Sequence, residues 1–129
     1  MVVLVVDDEP DLRELLKDEF EMAGWTVLEA RSGEEAYGIL QKNRFDAVVT
    51  DVRMPGGSGL DLLRRYAKTL DTTPNAGKLP FFVLLTGFAD LDEAEAMALG
   101  AGALIQKPFD LRQMMATVKA GARGTATTP

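Results

Sequence analysis

The chain has 129 residues, 47% of them hydrophobic, and carries 20 acidic against 14 basic side chains for a formal net charge of −6. That is one domain with enough apolar content for a full core, and it reads as cytoplasmic because no run nears the roughly 18 apolar residues of a membrane span. With no Cys and no His, thiolate or imidazole metal sites, disulfides, Ser-His-Asp hydrolysis and a phosphohistidine within this chain are excluded, and the acidic balance without clustered Lys/Arg argues against nucleic acid as a direct partner.

In chain order, Met1–Val6 is an unbroken apolar run followed by Asp7-Asp8. Pro10 suits the first position of a helix whose apolar stripe is Leu12, Leu15, Leu16, Phe20 and Ala23, with Gly24 as its stop. Thr26–Ala30 is a short strand, and its polar Thr26 and Glu29 place it at a sheet edge. Ser32-Gly33-Glu34-Glu35 is a capping box for a second helix that buries Ala36, Ile39 and Leu40. Ala47–Thr50 is a second apolar run, ending in Asp51. A Pro55–Gly59 loop leads to a third helix reaching about Leu70, and Asp71–Pro80 holds turn chemistry in the longest connection. Phe81–Leu85 is a third apolar run, ending in Thr86. Asp90 and Glu93 predict the start of a fourth helix, ended by Gly100 and Gly102. Ala103–Gln106 leads to Lys107-Pro108, and Asp110-Leu111-Arg112-Gln113 caps a fifth helix with Leu111, Met114, Met115 and Val118 inward. Residues 121–129 are small and polar and read as a tail or the start of a linker, leaving a domain of residues 1–120.

Runs apolar on both faces suit parallel strands covered by helices on two sides. Strict alternation of strand and helix then gives a three-layer α/β sandwich. In such open sheets ligands bind beyond the carboxyl ends of the strands. Three acids, a hydroxyl and an ammonium converge at that rim, which outlines a site for Mg²⁺ and a phosphoryl group. Each piece alone has an ordinary use. Asp7-Asp8-Glu9-Pro10 is a helix entry, Asp51 a turn former, Thr86 a strand-end hydroxyl and Lys107-Pro108 a helix-entry dipeptide. Gly56–Gly59 lacks the Gly-Lys-Ser/Thr ending of a P-loop. The joint arrangement at successive strand ends is what carries the chemistry.

Asp7-Asp8-Glu9-Pro10, Asp51-Val52-Arg53-Met54-Pro55 with Gly59 beyond it, Thr86-Gly87 and Lys107-Pro108-Phe109, in that order, closely resemble the receiver domain of two-component response regulators. The resemblance spans residues 1 to about 120 and implies a flavodoxin-like fold, a five-stranded parallel sheet of order 2-1-3-4-5 with five helices. It implies that Asp51 is the phospho-acceptor and that Asp8 and Asp51 bind Mg²⁺ directly. Asp7 would act through water, and the Arg53 carbonyl would add another metal oxygen. Thr86 would be the switch hydroxyl, Lys107 the phosphoryl-holding cation, and Lys107-Pro108 a cis peptide. The phosphodonor would be a histidine kinase or histidine phosphotransfer domain. The output, a downstream protein or fused domain, would read the face of helix 4, strand 5 and helix 5. Such a domain is a signalling element that catalyses only its own phosphorylation and dephosphorylation.

Electrostatics agrees with that set. Asp7, Asp8, Asp51 and Lys107 sum to about −2 when ionised, a crowding that one Mg²⁺ neutralises. Leu104 stands where the family usually carries Tyr or Phe, so a rotamer switch of an aromatic ring is not expected. Arg53 and Phe88 flank the site at positions that tune hydrolysis in the family, and two readings stand side by side: both shield an acyl phosphate, or both point to solvent. A receiver-like scaffold without phosphorylation is the same-fold alternative, which the intact acid, hydroxyl and lysine set opposes. An aspartate-nucleophile phosphatase would need a second acid where Arg53 stands, and a flavin binder gives no reason for Asp7, Asp8 and Lys107.

Overall fold

The computed structural model describes residues 1–54, 58–72, 79–87 and 93–126. The Pro55–Gly57 part of the loop, the turn residues 73–78, Phe88 and the expected cap Asp90 lie outside them.

The elements alternate as expected: β1 (Val2–Val6), α1 (Pro10–Met22), β2 (Thr26–Ala30), α2 (Gly33–Lys42), β3 (Ala47–Asp51), α3 (Gly59–Thr72), β4 (Phe81–Gly87), α4 (Glu93–Ala98), β5 (Ala101–Lys107) and α5 (Leu111–Ala126). The strands form one sheet in the order β2-β1-β3-β4-β5, and every pairing is parallel. Thr26–Ala30 is thus an edge strand, as its polar residues predict. β3 is buried along its whole length, which is why its sequence does not alternate.

Each face of the sheet carries its own core. On one face Leu4, Val48, Phe82 and Leu84 meet Leu40 of α2, Leu62, Leu63 and Tyr66 of α3, and Ala96 of α4. On the other, Val3, Val5, Val49, Val83 and Leu85 meet Leu16 and Phe20 of α1 and Met114, Val118 and Ala122 of α5. Burying each such large side chain contributes about 1.5–3 kcal/mol. No described helix is long and apolar enough to cross a membrane.

The helix entries follow their sequence signals. Ser32 accepts a hydrogen bond from the Glu35 amide at 3.2 Å, while the Glu35 carboxylate accepts from the amide of Arg31. Asp110 accepts from the amides of Arg112 and Gln113. α1 has Pro10 at its start and no side-chain cap.

Four expectations are corrected. Leu15 is 47% exposed and Ala23 is also exposed, so the buried seam of α1 is Leu16 and Phe20, narrower than the stripe read from sequence. α3 runs to Thr72, whose hydroxyl bonds back to the carbonyls of Lys68 and Thr69. Gly102 does not end α4. It lies in β5 at a register irregularity, because Phe82 pairs with Ala101 and Val83 with Ala103. α5 continues through residues 121–126, which were expected to be tail. Small residues there serve packing: Ala122 is fully buried, and a side chain at Gly121 or Gly102 would collide with the Phe81 ring.

Candidate phosphoryl and metal site

The carboxyl ends of the strands deliver the expected residues to one rim. Asp7 follows the last residue of β1, Asp51 ends β3, Thr86 is the penultimate residue of β4 and Lys107 ends β5. Their register is fixed by the sheet, with Asp51 paired to Leu85 and Thr86 to Gln106. One carboxylate oxygen from each of Asp7, Asp8 and Asp51 lies within 4.8 Å of the others. Asp7 and Asp51 are buried and Asp8 is exposed, so the cluster opens to solvent on the Asp8 side.

Opposing charge enters from β5. Lys107 Nζ donates to Asp51 Oδ2 at 2.7 Å. The other oxygen, Oδ1, accepts from the Arg53 amide at 3.2 Å. Burial pulls the Lys107 ammonium downward, but the hydrogen bond and charge of Asp51, together with Asp7 and Glu9, outweigh it and hold the pKa above its ordinary value. Lys107-Pro108 is a cis peptide, as the resemblance implied.

Asp7 is the electrostatic weak point. Its Oδ1 accepts from the Glu9 amide at 2.8 Å, while its Oδ2 is buried with no partner among the described residues. Burial raises its pKa most; the Glu9 hydrogen bond opposes this, and the Asp51 charge adds to it. An orphaned buried carboxylate oxygen beside two further acids fits a hard divalent cation with oxygen ligands.

Two backbone features shape the pocket. Gly59, the first residue of α3, donates its amide to the Val52 carbonyl at 3.0 Å. A Cβ there would collide with the Asp51 carbonyl and crowd the Thr50 side chain, so glycine is what lets α3 start against the end of β3. Arg13, which sequence reasoning passed over, reaches back from α1 to donate from Nη1 to the Asp7 carbonyl at 2.8 Å. No spacing rule flags such a contact.

Thr86 is 7% exposed, and among the described residues its hydroxyl meets only the Gly87 carbonyl, at 3.5 Å, the outer limit of a hydrogen bond. Leu104 is partly buried against the α2–α3–α4 core.

Comparison with known proteins agrees with this geometry. The family described as response regulator receiver domain matches residues 3–119. The chain is 32% identical over 123 residues to the phosphate regulon transcriptional regulatory protein PhoB of Pseudomonas aeruginosa, a match covering 95% of this chain and 52% of that protein. This chain therefore spans about half the length of that relative. Among solved structures, the receiver domain of the Francisella response regulator 1452 has a TM-score of 0.82 at 27% identity, covering 96% of this chain and 98% of that one. Response regulator protein TrrA of Thermotoga maritima, in complex with Mg²⁺-BeF, has a TM-score of 0.78 at 31% identity, covering 93% and 97%. A parallel sheet of this order, acids and lysine at successive strand ends, and a family match over nearly the whole chain lead to one conclusion: the chain belongs to the response regulator receiver domain family.

Proposed function

We propose that this domain accepts a phosphoryl group on Asp51, with Mg²⁺, from a phosphohistidine of a histidine kinase or histidine phosphotransfer domain, and thereby switches a partner or fused output domain. The observation that carries the reading is the Lys107–Asp51 contact of 2.7 Å beside the Asp7–Asp8–Asp51 cluster. Because the chain has no His, the histidine belongs to the donor.

A carboxylate oxygen of Asp51 attacks phosphorus, a P–N bond to the donor imidazole breaks, and a P–O bond closes the mixed anhydride. Asp8, Asp51 and the Arg53 carbonyl, with Asp7 through water, would hold Mg²⁺, which would supply positive charge for the transferring phosphoryl oxygens. Lys107 stays with the same oxygens as a second, fixed cation. Asp51 is nucleophile and Lys107 electrostatic partner, so the domain promotes its own modification. The product carries about one more negative charge than the carboxylate it replaces. Thr86, whose hydroxyl has only a long contact among the described residues, is drawn to the new oxygen. That displacement at the end of β4 is passed to α4, β5 and α5, the face read by the output. The TrrA complex with Mg²⁺-BeF supports the reading, because beryllofluoride mimics a phosphoryl group.

The test is direct. Incubate the protein with acetyl phosphate and Mg²⁺, trap the acyl phosphate with borohydride and map the label. Modification confined to Asp51 and absent from Asp51→Asn is expected; full labelling of that variant overturns the assignment.

A further inference from the structure

Glu29 is a polar residue of an edge strand, and an edge position explains its polarity but not its direction. Alternate residues of a strand share a face, and Val27 packs into the α1–α5 core, so Glu29 faces α1. There its Oε1 lies 3.3 Å from Arg13 Nε and its Oε2 3.6 Å from Lys17 Nζ. The Arg13 side chain is only 15% exposed, and its Nη1 donates to the Asp7 carbonyl at 2.8 Å. One planar guanidinium thus spans a carboxylate on the sheet edge and a peptide oxygen in the acidic loop, a task suited to its fixed fork of donors.

That peptide oxygen has particular leverage. The Asp7 carbonyl lies in the plane of the Asp7–Asp8 peptide, so pinning it fixes the plane that carries the Asp8 nitrogen and Cα. The other side of Asp7 is held by β2 as well, through its amide to the Ala30 carbonyl at 3.1 Å. The strand register sets Glu29 beside Val5 and Ala30 beside Val6. Both peptide groups of Asp7 are therefore referenced to the same edge strand, one directly and one through Arg13. Of the carboxylate, Oδ1 is taken by the Glu9 amide and only Oδ2 is left buried without a partner among the described residues.

We propose that Arg13 is a positioning residue for the acidic pocket, held in place by Glu29, and that this clamp sets the Mg²⁺ affinity of the site from the edge of the sheet. The inference rests on the reading of the pocket as a Mg²⁺ site. Removing outer supports of metal ligands typically weakens binding about 10–100-fold, and Arg13→Ala is expected to fall in that range. Arg13→Lys keeps the charge but not the fork, and recovers only part of the loss. Glu29→Gln keeps an acceptor and weakens binding a few-fold. In the Arg13→Ala background the Glu29 change adds nothing, because its effect runs through Arg13.

Isothermal titration of the metal-free protein with Mg²⁺ measures these constants, and melting of the metal-free variants is recorded beside it. A plain staple between α1 and β2 lowers the melting temperature of the variants and leaves their Mg²⁺ dissociation constants at the wild-type value; that result overturns the clamp. An additive Glu29 effect in the double variant overturns the relay through Arg13. If Arg13→Ala does not fold, Glu29→Gln carries the test alone, and an unchanged constant in that variant is decisive against the clamp. A wild-type chain that takes up no Mg²⁺ overturns instead the reading on which the inference rests.

Discussion

The Lys107 ammonium sits 2.7 Å from Asp51 Oδ2, which joins the last residue of β5 to the last residue of β3 across the width of β4. Their side chains are 30% and 12% exposed, so solvent screens the pair only in part. In the metal-free protein Lys107→Ala is expected to cost about 1–2 kcal/mol, because partial solvent screening discounts the roughly 1.5–3 kcal/mol of a charge-assisted contact. A double-mutant cycle with Asp51→Asn, followed by urea unfolding, checks that the loss is mutual; additive losses would deny the coupling.

Asp7→Asn is expected to stabilise the metal-free protein by about 1 kcal/mol, because it removes a buried negative charge whose Oδ2 has no partner among the described residues. The same change should abolish stabilisation by Mg²⁺, which in the wild type is expected to reach about 2.7 kcal/mol at 100 times the dissociation constant. Thermal melts with and without Mg²⁺ read both effects, which have opposite signs.

Gly59→Ala is expected to destabilise the domain by more than about 2 kcal/mol, because the new methyl meets the Asp51 carbonyl, which cannot yield without moving β3. The surviving folded fraction should label slowly with acetyl phosphate, since Asp51 is displaced from Lys107. Wild-type stability in this variant would mean that α3 starts farther from the strand.

Tyr66 donates its hydroxyl to the Leu40 carbonyl at 3.3 Å. Burial raises its pKa most, against a downward pull from Arg44. A phenol with a raised folded pKa keeps its proton longer in the native state, so stability falls as pH rises from the unfolded value near 10. Tyr66→Phe loses the hydrogen bond, about 1 kcal/mol at pH 7, but should shed part of the decline above pH ~10. Denaturation at pH 7 and above pH 10 tests the sign: the gap between the two proteins narrows with pH.

Leu104 cannot hydrogen-bond and is already packed against the α2–α3–α4 core. Beryllofluoride with Mg²⁺ is therefore expected to shift amide resonances of residues 87–99 in the wild type and equally in Leu104→Ala. Thr86→Ala should remove those shifts. Shifts that vanish with Leu104 would give the leucine an active part in switching.

Most of the rim was legible because the strands are parallel and covered on both faces, so each reads as an apolar run with its chemistry at the stop. Asp7, Asp8, Asp51, Thr86 and Lys107 all fall at such stops. What stayed hidden depends on how elements meet. Arg13 reads as one more charged residue of α1, and its reach back to the Asp7 carbonyl shows only in the folded arrangement of that helix and β1. Glu29 reads as edge polarity until the face it occupies is known. Gly121 and the small residues after it read as tail because their low bulk looks like a lack of packing, whereas Ala122 is fully buried. Phe88, expected to shield the acyl phosphate, lies outside the described residues, and Arg53 is exposed with its amide on Asp51.

The Phe81 ring occupies a slot whose two walls are the bare backbones of Gly102 in β5 and Gly121 in α5. A Cβ at either wall would overlap the ring, so the fit works as a tongue in a groove. Sliding α5 by one residue would bring the methyl of Ala120 or Ala122 against the ring. The carboxyl-terminal half of that helix is thus keyed to the sheet in both rotation and translation. Movement transmitted through α5 must then carry β4 and β5 along as a rigid block, or be confined to the turns nearer Leu111.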